Sequence, residues 1–156
     1  MIVYHKGSLW DAPKDSVFAH ACNCKGVWGS GIAVEFKERF PGAFSVYETL
    51  CRQAPRRPVL GTIGAKPTRG DASYMVGDDG AVVCLFTSEG YGPDVDDVPT
   101  IVDSTRRAIA KAVRYGVDLT MPKINSGKFG VPWELTEAVL NEFPDATFHV
   151  YTGEDA

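Results

Sequence analysis

The sequence predicts an α/β fold, one layered domain in which a mixed central sheet carries helices on both faces. Three observations support this. Short apolar runs of strand length alternate with stretches whose apolar residues recur every three or four positions. Asp78-Asp79-Gly80 separates two short apolar runs as a hairpin turn does, so part of the sheet is antiparallel. Two glycine-rich segments, 23–33 and 122–133, each follow a strand-like run and precede a helical pattern.

The predicted strands are Ile2–Tyr4, Val17–Cys22, Val59–Ile63, Tyr74–Val76, Ala81–Phe86, Val117–Met121 and Thr147–Tyr151. A helix is clearest over Thr100–Tyr115. Ile101, Val102, Thr105, Ala108, Ile109, Ala112 and Val113 form one face there, and Asp103, Arg106, Arg107, Lys111 and Arg114 the solvated one. Pro99 suits its first turn and Gly116 its C-cap. A shorter helix is expected over Gly31–Phe40, ended by Pro41-Gly42, another over Phe44–Cys51, and a last one over Trp133–Phe143, closed by Pro144-Asp145.

Composition narrows the functions open to such a fold. The 156 residues suit one domain, 1–156, and 44% hydrophobic content excludes wholesale disorder. A net charge of −4 leaves no general attraction for nucleic acid, although a few local amides still hold a small anion. No apolar run has the length of a membrane span, and Ile2-Val3-Tyr4 is followed at once by His5-Lys6-Gly7, which is not a signal-peptide pattern. Cys22, Cys24, Cys51 and Cys84 sit mostly in apolar runs without metal-ligand spacing, and read as reduced core thiols of a cytoplasmic, soluble protein. No metal site is expected; the acidic cluster Asp94, Asp96 and Asp97 reads as a solvated loop.

The glycine segments carry the chemistry. A Gly-rich turn opening a helix presents backbone N–H groups and the positive end of the helix dipole, both of which attract phosphate. Two such loops on one sheet edge can hold the two halves of a diphosphate. Neither ends in Gly-Lys-Ser/Thr, and Gly29-Ser30-Gly31 lacks the third glycine of a dinucleotide fingerprint. Taken singly, each is equally a structural turn. His20 leads into the first loop, where an imidazole can act as acid, base or nucleophile beside a phosphate; the competing role is a buried, hydrogen-bonded core histidine. Asn23 offers a carboxamide to ribose hydroxyls or to local backbone. Ser126 is a phosphate donor or a turn cap, and Trp28 and Phe129 either cover a ligand or fold back on the sheet edge. His5 and His149 belong to terminal strands and read as structural.

Motifs over nearly the whole chain extend this reading. They begin with Val3-Tyr4-His5-Lys6-Gly7, then Ala19-His20-Ala21-Cys22-Asn23-Cys24-Lys25-Gly26 and Trp28-Gly29-Ser30-Gly31-Ile32-Ala33. Cys84-Leu85-Phe86-Thr87-Ser88 and the segment Met121 to Trp133 complete the set. These residues resemble the macrodomain superfamily of ADP-ribose binders, most closely its ADP-ribose 1''-phosphate phosphatase branch. The resemblance implies a three-layer α/β/α sandwich with a mixed central sheet and ADP-ribose in a cleft above it. Leu9 would flank adenine. Gly29, Ser30, Gly31, Ile32 and Ala33 would hold one side of the diphosphate, with Trp28 beside them. Asn125, Ser126, Gly127, Lys128, Phe129, Gly130 and Val131 would close over the other side and the distal ribose. Asn23 would contact that ribose, and the branch's catalytic histidine falls on His20.

Two departures refine the expectation. Ser8 follows Gly7 where many relatives have Asp against the adenine. Relatives that release ADP-ribose from glutamate or thymidine use a Lys where this chain has Thr87-Ser88-Glu89-Gly90, and some use an Asp that aligns with Phe129. The implied activity is metal-independent hydrolysis of ADP-ribose 1''-phosphate by a monomer whose partner is that small molecule or ADP-ribose, with no cofactor and no membrane. An ADP-ribosyl hydrolase acting on protein or nucleic acid, and a non-catalytic ADP-ribose reader, remain the alternatives.

Overall fold

The computed structural model describes residues 1–53 and 66–153. The expected strand Val59–Ile63 lies outside the described residues. Among the described residues, six strands form one sheet: β1 (Ile2–His5), β2 (Val17–Asn23), β3 (Ala72–Gly77), β4 (Gly80–Ser88), β5 (Leu119–Pro122) and β6 (Phe148–Tyr151). Their spatial order is β1-β6-β5-β2-β4-β3. All neighbours run parallel except β3 and β4, which pair antiparallel with Gly77 opposite Gly80. The Asp78-Asp79 turn therefore makes the hairpin, and Gly80 takes φ 134° at its exit.

Among the described residues, four helices cover the sheet: α1 (Ile32–Arg39), α2 (Pro41–Arg52), α3 (Val98–Ala112) and α4 (Trp133–Leu140). Pro41 does not end the helical run but restarts it. It occupies the first turn of α2, where its fixed φ suits the helix and its missing N–H has no partner to lose. The bend falls on Phe40, at φ −128° and ψ 60°, so α2 begins three residues earlier than its apolar pattern indicated. Asp97 caps α3 by accepting a hydrogen bond from Thr100 N at 2.9 Å, Pro99 lies in its first turn, and a 3-10 turn ends at Gly116 with φ 70°.

Period-two alternation in the strands sorts side chains into two cores. Phe18, Cys22, Val82, Cys84 and Phe86 face α1 and α2, where they meet Phe36, Phe40, Tyr47 and Trp28. Ala19, Val83, Leu85, Met121, Phe148 and Val150 face α3 and α4, against Ala108, Ile109 and Leu140. The result is the three-layer sandwich with a mixed sheet. All four cysteines are free and buried. Among the described residues, no helix is long and apolar enough to cross a membrane.

The acidic loop before α3 is structural. Asp97 is the cap, and Asp96 takes two bonds from the Arg69 guanidinium, at 2.6 and 2.9 Å, and one from Glu89 N at 2.8 Å. These contacts, Arg69 first, hold the Asp96 carboxyl below the usual carboxylate range.

Candidate functional site

Between β2 and β5 the winding of the sheet reverses. The chain leaves β2 through α1 and α2 on one face, and leaves β5 through α4 on the other. Loops diverge at such a switch point and leave a crevice beyond the carboxyl ends of the strands. A cleft of about 820 Å³ occupies this place, walled by both glycine segments and by Tyr91 and Gly92 from the loop after β4.

The first wall is built by Asn23 and Gly31. A bulge between Cys22 and Asn23 turns the chain out of β2. Asn23 then organises the loop: its Oδ1 accepts from Lys25 N at 2.9 Å, and its Nδ2 donates to Val27 O at 2.7 Å. The buried Tyr47 hydroxyl reaches Asn23 O at 2.8 Å and Oδ1 at 3.0 Å. Asn23 is thus first a loop brace. Gly31 stands at the N-cap of α1 with φ 62°, open space around it, and no side-chain cap. The N–H groups of the first turn, at Ile32 and Ala33, therefore have no capping oxygen, and both residues line the cleft.

The second wall hangs on Asn125. Its backbone is left-handed, at φ 67°. Its side chain points into the core, where Oδ1 accepts from Thr87 Oγ1 at 2.8 Å and Nδ2 donates to Thr105 Oγ1 at 3.0 Å and Thr136 Oγ1 at 3.4 Å. Val131 N bonds to Asn125 O at 2.9 Å and Gly130 N to Gly127 O at 3.0 Å, closing the loop on itself. Gly127, Lys128 and Phe129 are left projecting along the cleft.

His20 lies on the floor, 1% exposed. Its ring stacks on Phe36 at 4.0 Å and meets Trp28 edge-on at 4.6 Å. Nε2 is 3.4 Å from Cys22 Sγ, while Nδ1, like Trp28 Nε1, has no hydrogen-bond partner among the described residues. Burial, then the neighbouring Cys84 thiol, pushes the Cys22 thiol well above its ordinary value, so it stays protonated.

The cleft gathers most of the residues singled out from sequence: His20, Asn23, Trp28, the run 29–33, Asn125, Gly127, Lys128 and Phe129. Four do not line it. Leu9 is buried in the core beside α1, on a 3-10 turn whose cap is the Ser8 hydroxyl, so its side chain is packing material. Val131 is buried behind the loop, and Ser126 and Gly130 are exposed but do not line it. Of the two roles open to Trp28, its packing fits the folded-back one: it lines the cleft while 2% exposed, stacked on Tyr47 and packed on Phe44. Sequence reasoning missed Lys123, Val27 and Tyr91. Tyr91 had a signal, an aromatic beside glycine in the loop after a strand. Lys123 had none beyond its place in the second segment.

The electrostatics of the lining are one-sided. Lys123 and Lys128 contribute cations, and no Asp or Glu lines the cleft among the described residues, although the protein as a whole is acidic. An α/β/α domain with such a crevice at its switch point, walled by helix-opening glycine loops, belongs to the class that receives phosphorylated ligands at strand ends. The sequence matches the Macro domain over residues 19–140, and the chain belongs to that family.

Relatives agree over nearly full length. The chain is 36% identical to a protein of Debaryomyces hansenii named ADP-ribose 1''-phosphate phosphatase, covering 97% of this chain and 98% of the relative. It is 37% identical to one of the same name from Candida albicans, covering 97% and 99%. Among solved structures, the macrodomain of Mycobacterium tuberculosis DarG superposes with a TM-score of 0.74 over 97% of both chains at 24% identity, a likeness of fold.

Proposed function

We propose that this protein hydrolyses ADP-ribose 1''-phosphate to ADP-ribose and inorganic phosphate. The observation that carries the reading is the pair of glycine loops facing each other across a cleft with two lysines, no lining carboxylate among the described residues, and an imidazole on its floor. The full-length similarity to proteins named for this activity supports it.

In this reading the first-turn amides of α1 take one phosphate of the diphosphate and the loop after β5 takes the other. Binding energy gathered there orients the remote phosphate at the reacting end. Asn23 has a second amide N–H beyond its bond to Val27, and it donates to the distal ribose. His20 acts at the reacting phosphate as acid, base or nucleophile. A buried nitrogen without a partner costs about 1–3 kcal/mol, so Nδ1 is held unsatisfied beneath the cleft. The loop after β4 offers no lysine: Thr87 is tied to Asn125, and Glu89 pairs with Lys25 at 3.4 Å. That disfavours release of ADP-ribose from glutamate or thymidine.

The deciding experiment incubates purified protein with ADP-ribose 1''-phosphate and a chelator and follows inorganic phosphate. Phosphate release that persists with the chelator supports a metal-independent phosphatase. Release of ADP-ribose from a modified protein or nucleic acid, without phosphate release from the small substrate, supports the hydrolase alternative. Tight ADP-ribose binding with neither turnover supports a reader. We further propose that the enzyme works as a cytoplasmic monomer without general affinity for nucleic acid. Free buried thiols and the net charge support this, and sedimentation with and without DNA tests the last two points.

A further inference from the structure

Beneath the cleft lies a constellation that the phosphatase reading does not use in full. His20 and Cys22 are two apart on β2 and so share one face, and Cys84 on β4 is the register partner of His20. Strand pairing thereby brings an imidazole and two thiols together, their ligand atoms all within 4.8 Å of one another. His20 Nε2 lies 3.4 Å from Cys22 Sγ.

We propose that His20, Cys22 and Cys84 form a binding site for a soft divalent cation such as Zn2+ or Cd2+. With a Zn–S bond of about 2.3 Å and a Zn–N bond of about 2.0–2.1 Å, tetrahedral coordination sets N and S about 3.6 Å apart and two sulfurs about 3.8 Å apart. The observed cluster, with one pair at 3.4 Å and all within 4.8 Å, is close to this scale. Charge also fits. Each thiol loses its proton to solvent as its bond to the metal forms, and two thiolates with a neutral imidazole make an uncharged complex with a divalent ion. That is the one charge state an interior of this kind accepts without a counterion. Cys84 is 0% exposed, but His20 and Cys22 line the cleft, so the ion enters from there and its fourth position faces the cavity. An ion on Nε2 leaves Nδ1 as an N–H donor and withdraws His20 from service as base or nucleophile. The site is therefore inhibitory to any reaction that needs the free imidazole.

The test is a titration of the reduced protein with Cd2+, following the ultraviolet thiolate-to-metal charge-transfer band. We expect a band that saturates at one ion per chain. It disappears in Cys84→Ala and persists in Cys24→Ala and Cys51→Ala, whose thiols are buried elsewhere. A histidine-only site, such as the surface pair His5 and His149, gives no such band. No band, or one that survives Cys84→Ala, overturns the proposal. If Cys84→Ala does not fold by its melting curve, Cys22→Ala serves the same binding measurement. The activity reading rests on the proposed phosphatase. Zn2+ should suppress turnover of the wild type reversibly by chelator and leave Cys84→Ala active, whereas turnover of the wild type unchanged at saturating band intensity overturns the inhibitory role. A protein with the band and no phosphatase activity retains the site and loses only the phosphatase reading.

Discussion

Asn125 donates its side-chain amide to Thr105 Oγ1 at 3.0 Å, which ties the loop after β5 to the inner face of α3. Thr105 in turn donates to Ile101 O at 2.7 Å within the helix. The loop that walls the cleft is therefore held from behind, by the protein, and its glycine-rich outer half is left for a ligand.

Asn125→Ala should destabilise the fold by about 2–4 kcal/mol. It removes bonds to Thr87, Thr105 and Thr136 and leaves a left-handed backbone without the residue type that tolerates it. Asn125→Gly relieves the backbone but not the lost bonds and should fall between. Urea unfolding at equal slope ranks the three proteins, and equal midpoints for Ala and wild type would refute the brace.

His20→Ala should lower phosphatase turnover by about 100-fold or more, the usual range for a positioned proton-transfer group, while ADP-ribose affinity by calorimetry changes little. Full turnover in this variant removes His20 from the chemistry. A phosphohistidine preserved by rapid alkaline quench, and lost again on acidification, assigns it as nucleophile rather than acid or base.

Lys123→Gln and Lys128→Gln should each weaken ADP-ribose binding by about three- to tenfold, less than a buried pair because both amines meet solvent. The difference from wild type should shrink as salt rises. Calorimetry at two ionic strengths checks both statements, and a salt-independent loss would point to packing instead.

Gly90→Ala should be among the more damaging loop changes, because Gly90 is buried. A methyl group there would come within 2.4 Å of Asp94 O, in the loop that carries Tyr91 to the cleft. A cost of about 1–3 kcal/mol is expected from such overpacking, with weaker ADP-ribose binding alongside.

Asp96 makes stability depend on pH at the acid end. Its folded carboxyl is held below its ordinary value, so the stabilisation is complete above about pH 3.9, the unfolded value, and fades as pH falls through the lower, folded value. Asp96→Asn should lower the thermal midpoint at pH 7 and converge on wild type in strong acid.

Much of this protein was legible in the chain itself. Apolar periodicity located the described strands and helices, because burial on one face imposes a spacing of two or of three to four. The Asp78-Asp79-Gly80 turn marked the antiparallel edge, and the motifs around His20 and Asn125 marked the cleft. Boundaries were less legible at Pro41, since a proline reads equally as a stop or as a first turn. Tertiary structure alone decided what each side chain does. The Asn125 and Leu9 side chains look like ligand contacts in a motif, yet packing turns them inward, because buried polar groups need partners and apolar side chains need cover. It alone brought Lys123 and Tyr91 to one cavity, and Cys84 to His20 and Cys22. Those meetings depend on strand order and register, which link residues far apart in the chain and leave no local trace in sequence.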